Sequence, residues 1–375
     1  MKDPRVEKLA RLMVEYSLKI QPGQHVLIAG PALAEPALLE VYRAAVAAGA
    51  HVDVDIQGEG FEEIFYQQAG DEQLQWVSPI AKFKIENLDA LCRIRASSNT
   101  RALTGADAKK MAMASKARQP LMKTYMQRTA DGEFNWVLTQ WPCHASAQDA
   151  DMSLADYEEF IFQAGHLDDE DPVATWKAIS KAQQALTDHM NAASEVRIVA
   201  EQTDITYSCK GRKWINCDGQ LNFPDGEVFT GPVEDSVNGT VRFSFPAVHN
   251  GREVVDAKLT FQDGQVVDAR ATKGEEFLKE MIAMDDGSKF LGEAAFGTNY
   301  NIKQYTRNTL FDEKIGGTIH LALGAAYPET GSDNKSGLHW DMVCDLRRGG
   351  QIYVDGELIQ QDGRFLDKSY PQPTD

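Results

Sequence analysis

Cysteine is scarce in this chain and never paired. Cys92, Cys143, Cys209, Cys217 and Cys344 are odd in number, dispersed, and nowhere spaced as CxxC. That excludes a disulfide framework and a closed thiolate zinc site, and it fits reduced thiols in a cytoplasm. No stretch approaches the roughly 18 consecutive apolar residues of a membrane-spanning helix. Neither GxGxxG nor GxxxxGK[ST] occurs, which argues against a dinucleotide or P-loop site and so against a nicotinamide dehydrogenase. Positive charge is in deficit, with 38 Lys and Arg against 56 Asp and Glu and a net charge of −18. Nucleic acid and anionic membrane surfaces are therefore poor partners. No internal repeat and no low-complexity linker is present.

What remains is an ordinary globular composition, 43% hydrophobic and 25% charged over 375 residues, long enough for two domains. Val6, Leu9, Met13, Tyr16 and Ile20 recur at helical spacing, so the opening segment reads as a folded helix and not as a signal peptide. The pattern up to about residue 190 alternates helix and strand. Strands are expected at His25–Ala29, His51–Ile56, Ala90–Ile94 and Phe134–Thr139. Helices are expected at Glu35–Ala48 and at about 59–69, 72–85, 105–118, 153–165 and 171–191. This predicts a wound α/β domain over residues 1–190. Gly30-Pro31-Ala32 reads as a structural strand-to-helix turn, and His144 as a loop histidine.

The period then changes. Short alternating runs, such as Glu195–Glu201, Ile205–Ser208, Thr240–Ala247, Lys258–Gln262 and Gln265–Thr272, are separated by Asp218-Gly219, Asn238-Gly239, Asn250-Gly251 and Asp263-Gly264. Asp355-Gly356 and Asp362-Gly363 mark a final hairpin. Residues 191–375 are thus expected to form a mainly antiparallel β domain, with a helix near Gly274–Met284 and a loose tail.

Two of the eight histidines fall in residues 318–341. His320 sits in an apolar alternating run, Tyr327 follows the Gly324 break, and His339 and Asp341 are two apart, so an extended chain points them to one face. Imidazole, carboxylate and phenol converging from two short extended segments make half a metal site, and an open coordination position there would be catalytic. Two glutamates offer the other half. Glu227 follows a Pro-Asp-Gly turn, and Glu293 interrupts an apolar run, where an acid is costly unless paired or on a metal. Taken singly, each has a plainer reading: His320 as a hydrogen-bonded core histidine, Glu227 as a turn acid, Glu293 as an acid at a helix N-terminus.

Five segments in order carry a resemblance: Asn222–Pro232 (NFPDGEVFTGP), Leu291–Glu293 (LGE), Asn308–Glu313 (NTLFDE), His320–Pro328 (HLALGAAYP) and His339-Trp340-Asp341. Together they are similar to the thermophilic aminopeptidase family of two-metal exopeptidases, over nearly the whole chain and most strongly over residues 211–345. The loop between His320 and His339 is shorter than in the longer members. The resemblance implies metal ligands at Glu227, Glu293, His320, Tyr327, His339 and Asp341, on two divalent ions such as zinc, cobalt or manganese. It implies a homodimer that releases N-terminal residues from peptides with a free N-terminus, by attack of a metal-bridging water on the first peptide bond. Glu293 is then the bridging acid or the general base, and Tyr327 a ligand or a donor to the oxyanion. The competing readings are a two-metal amidase or esterase with no need of a free α-amine, and a non-catalytic protein that binds a small ligand in a cleft.

Overall fold

The structure is a computed structural model and describes residues 3–249 and 251–373. It divides into two compact units, Met1–Val173 with Gly219–Phe223, and Ala174–Asp218 with Pro224–Asp375.

The first unit is built on a parallel sheet of five strands in the order His51–Gln57, His25–Pro31, Ala90–Arg95, Asn135–Gln140 and Asn222–Phe223. His25–Pro31 lies inside this sheet, and its apolar run Val26–Ala29 is buried throughout, as expected for a strand covered on both faces. The edge strand His51–Gln57 alternates valine with aspartate. Its acids are held by neighbours, Asp53 by His25 at 2.8 Å and Asp55 by Lys84 at 2.8 Å, and such charges discourage pairing with another chain.

Helices differ from expectation where proline intervenes. The helix expected at 72–85 is two, Asp71–Gln75 and Pro79–Asn87, because Ser78 caps a new start with Pro79 in its first turn. The helix expected to stop at Arg118 instead continues through Pro120 to Ala130. The residues flanking Pro120, rich in Ala, Lys, Met, Gln and Arg, are strong helix formers and outweigh one missing N–H. The opening helix Pro4–Arg11 widens into π-helix over Leu12–Ser17. His144 is not in a loop but opens the short helix His144–Asp149.

The second unit carries the long helix Pro172–Ala192 and two larger antiparallel sheets. In the eight-stranded sheet, Asp263-Gly264, Asp355-Gly356 and Asp362-Gly363 turn with positive φ at both residues, as the sequence led us to expect. Asn238-Gly239 is not a turn: it opens the strand Asn238–Arg242. A Cβ on Gly239 would lie 2.2 Å from the Asp204 carbonyl of the neighbouring strand, so glycine is there for close approach rather than for a bend. Of the Asn250-Gly251 turn, Asn250 lies outside the described residues, as do Thr374 and Asp375 of the tail. Tyr370 is anchored rather than loose, its hydroxyl 2.6 Å from His189 Nδ1.

The five-stranded sheet matters most. Its order is His339–Asp345, Thr318–Gly324, Leu291–Gly297, Glu227–Thr230 and Ile215–Cys217. One face packs into the main core through Val228, Leu291, Ala294, Phe296, Ile319, Leu321, Leu323, Trp340, Met342 and Cys344. Side chains alternate along a strand, so Glu227, Glu293, His320, His339 and Asp341 all project from the opposite face. Leu291 and Glu293 have the same parity and should share a face, yet Leu291 is in the core. The register shift between them is the reason: a bulge at Gly292 inserts one residue and resets the alternation.

A Cβ on Gly292 would sit 2.2 Å from the Ala325 carbonyl and 2.3 Å from that of Gly324. Gly292→Ala should therefore destabilise the fold by about 1–3 kcal/mol through overpacking. Urea unfolding checks this, and an unchanged midpoint would show that the bulge has room to spare.

Candidate metal centre

The sheet register decides which side chains meet. Ala322 pairs with Asp341 on one side and Glu293 on the other, while His320 stands opposite Ala295 and Val343. Small residues at Ala322 and Ala295 leave the face above them open to the long polar side chains beside them. His339 follows at Gly324, and Glu227 opens its strand opposite Gly297.

Glu293 is the centre of the arrangement. Its Oε1 is 3.3 Å from His320 Nε2 and its Oε2 is 3.4 Å from His339 Nε2. Beyond the histidines lie two more acids, Glu227 Oε2 at 3.7 Å from His320 Nε2 and Asp341 Oδ1 at 3.3 Å from His339 Nε2. Two groups of donors thus share Glu293, namely Glu227–Glu293–His320 and Glu293–His339–Asp341, with the donor atoms of each within 4.8 Å of one another. Glu313, His320 and Asp341 form a further group, and Cys217, Asp225 and Glu227 another.

Both imidazoles are oriented from behind. His320 Nδ1 lies 3.1 Å from the Glu313 carbonyl and His339 Nδ1 lies 2.8 Å from the Ala325 carbonyl. A carbonyl only accepts, so each Nδ1 carries hydrogen and each Nε2 is turned toward the carboxylates. This is how metal-binding histidines are held. Among the described residues, Glu227 Oε2 and Asp341 Oδ1 are buried without a hydrogen-bond partner. Orphaned oxygens beside imidazole nitrogens turned toward the same face are a donor set for a cation.

The electrostatics point the same way. Burial pushes Glu227 up, to about 8, against the pull of Lys314. Burial lowers both imidazoles, but the Glu293 contact and the surrounding acids raise His320 to about 10, and the Asp341 contact, followed by that with Glu293, raises His339 to about 11. Burial would raise Asp341, yet the contact with His339 brings it down to about 2. Without a cation, protons stand in for positive charge at a face built mainly from acids. A metal must displace them, so its affinity falls as pH falls.

Five of the six residues singled out in the sequence converge here as donor atoms. Glu293 is in a strand and not at a helix N-terminus. Tyr327 is 42% exposed, with its ring edge-on to His339 at 5.4 Å and to Phe229 at 5.3 Å. Burial and the neighbouring carboxylates raise its hydroxyl far above the usual range, so without a cation it remains a donor. Three residues escaped the sequence reading, Asp225, Glu313 and Lys314, while Cys217 was read there only as a reduced thiol. Asp225 and Glu313 lie inside the quoted motifs, and Lys314 directly follows one. Their signal was adjacency to those motifs, which says nothing of direction in space.

The profile of the family described as thermophilic metalloprotease (M29) matches residues 2–365. Aminopeptidase 2 of Geobacillus stearothermophilus is 31% identical over 386 aligned residues, covering 96% of this chain and 91% of that one. The structure of wild-type AmpT from Thermus thermophilus superposes with a TM-score of 0.83 at 25% identity, covering 97% of this chain and 99% of that one. A 2,5-dihydroxypyridine dioxygenase from Pseudomonas putida KT2440 reaches a TM-score of 0.64 at 12% identity over 98% of this chain and 99% of its own, a likeness of fold alone. The chain therefore belongs to the thermophilic metalloprotease (M29) family and is a metal-dependent aminopeptidase.

Proposed function

We propose that this aminopeptidase works with two divalent ions: Glu227, His320 and Glu293 would hold one, and His339, Asp341 and Glu293 would hold the other. The observation that carries this reading is Glu293 itself, which turns one oxygen toward each histidine at 3.3 and 3.4 Å. Charge supports the number of ions. Asp225, Glu227, Glu293, Glu313 and Asp341 are five carboxylates, and the Lys314 ammonium leaves four negative charges with both imidazoles neutral. Two divalent ions neutralise four. Nitrogen and oxygen donors without thiolate suit zinc, cobalt or manganese.

Bound divalent ions supply a Lewis acid, which polarises the scissile carbonyl and makes water a nucleophile at neutral pH. The protein's own groups do the rest. Glu293 would be the acid shared by the two ions, and Glu313, grouped with His320 and Asp341 at the same face, would take the proton of the attacking water and deliver it to the leaving amine. The Tyr327 hydroxyl, partly exposed beside His339, donates to the developing oxyanion. A free amino terminus has a nitrogen lone pair that an open position on a bound ion would accept, and an acetylated one does not.

The five free cysteines suit a reducing cytoplasm. The homodimer implied by the resemblance is supported by exposed apolar side chains of the first unit, among them Ile56, Phe61, Ile64 and Phe83. Sedimentation equilibrium should give twice the 41.6 kDa of one chain, and a monomer at micromolar concentration would reject the dimer.

Two further outcomes are expected. Chelation should lower hydrolysis of a free-amine aminoacyl-anilide by at least about 100-fold, since the metal supplies several kcal/mol of transition-state stabilisation, with recovery on adding back zinc, cobalt or manganese. The N-acetylated anilide should remain uncut throughout; equal cleavage of both would instead make the enzyme a general amidase. Glu293→Gln should hold fewer than two ions by elemental analysis and lose at least about 100-fold in kcat. Retention of two ions at full activity would refute its role as the shared ligand.

A further inference from the structure

Lys314 is the most unusual residue of the second unit. It is fully buried, and lysine is almost never so unless paired. Its Nζ lies 2.8 Å from Glu227 Oε1 and 3.7 Å from Asp225 Oδ1, and it also contacts Glu313 Oε1. The backbone is pinned on both sides: Lys314 N donates to the Phe311 carbonyl at 3.0 Å and its own carbonyl accepts from Asn299 N at 3.0 Å. The ammonium is therefore delivered to a fixed point among three acids and has no path to solvent.

We propose that Lys314 is a positioning residue: a built-in cation that takes one oxygen of Glu227 so that the other is presented to a metal ion. This rests on the two-ion reading above. The two oxygens of Glu227 are unlike. Oε1 accepts from Lys314, whereas Oε2 is buried, has no hydrogen-bond partner among the described residues, and lies 3.7 Å from His320 Nε2. A carboxylate with both oxygens free can rotate or chelate; one held at Oε1 offers a single oxygen in a single direction.

Lys314 also settles where ions do not go. Cys217, Asp225 and Glu227 have the spacing of a metal site, but the ammonium between Asp225 and Glu227 already supplies the positive charge. The centre keeps its ions on the side of His320 and His339. An ammonium suits this better than guanidinium, being a compact point charge with three donors for three acids.

The test is metal binding, with cobalt(II) as the probe. Ion affinities and the visible spectrum of the bound cobalt are measured in wild type, Lys314→Met and Lys314→Arg, with circular dichroism as the check of folding. Lys314→Met should weaken one of the two ions by about 10–100-fold, as loss of a group that orients a ligand does, and change the absorption of that ion alone. Lys314→Arg should recover part of the affinity. If Lys314→Met does not fold, the Glu313→Gln/Lys314→Met pair removes one charge of each sign from the cluster and is read the same way. Two ions bound with wild-type affinity and spectrum in the folded variant would overturn the inference while leaving the two-ion reading intact. Equal weakening of both ions would likewise overturn it, as the mark of a general structural role. A wild-type enzyme that binds a single ion would instead overturn the two-ion reading and this inference with it.

Discussion

Carboxylates that face one another away from water repel, and in this protein five of them do so within one unit. Glu227 and Glu293 are 5% and 4% exposed, where isolated ionised acids are not tolerated. The rest of the site follows from the need to compensate them. One positive charge is covalent, the buried ammonium of Lys314. Two imidazoles, His320 and His339, are locked by backbone carbonyls with their Nε2 atoms toward the acids. The remaining charge is what metal ions supply in a family defined by metalloproteases. A metal bound there would relieve a repulsion that the folded chain creates, which is how metal binding couples to folding.

The five-stranded sheet brings Glu227, Glu293, His320, His339 and Asp341 together without flexible loops. Alternation places an apolar face in the core and leaves the other for donors, and antiparallel pairing brings Glu293 and Asp341 alongside the same alanine, Ala322. Sites on strands are held more firmly than sites on loops. The bulge at Gly292 carries the same logic further. Without it Leu291 and Glu293 would face one way, and either the core would lose a leucine or the site its central acid.

Fold and chemistry separate clearly here. A dioxygenase shares the architecture over nearly the whole length at 12% identity, so the arrangement of sheets does not by itself dictate peptide hydrolysis. What distinguishes this chain is the set of side chains on one sheet face, together with relatives that are aminopeptidases at about 30% identity over most of their length.

Much of this was legible in the sequence because it is local. Alternation over Thr318–Leu323 and the His339-x-Asp341 spacing set which residues share a strand face, and Asp-Gly pairs marked the hairpins, since both depend on backbone geometry within a few residues. The motif order announced the family. Three kinds of fact were not local. The helix through Pro120 depended on the summed propensity of its neighbours, and the strand at Asn238-Gly239 on a carbonyl of another strand. Which carboxylate lies between the histidines depended on register and on one inserted glycine. Lys314 lies beside a recognised motif, but adjacency in sequence does not say whether a lysine is solvated or buried. Only burial, set by how the Glu227, Leu291–Gly297 and Thr318–Gly324 segments come together, turned that lysine into a fixed internal charge.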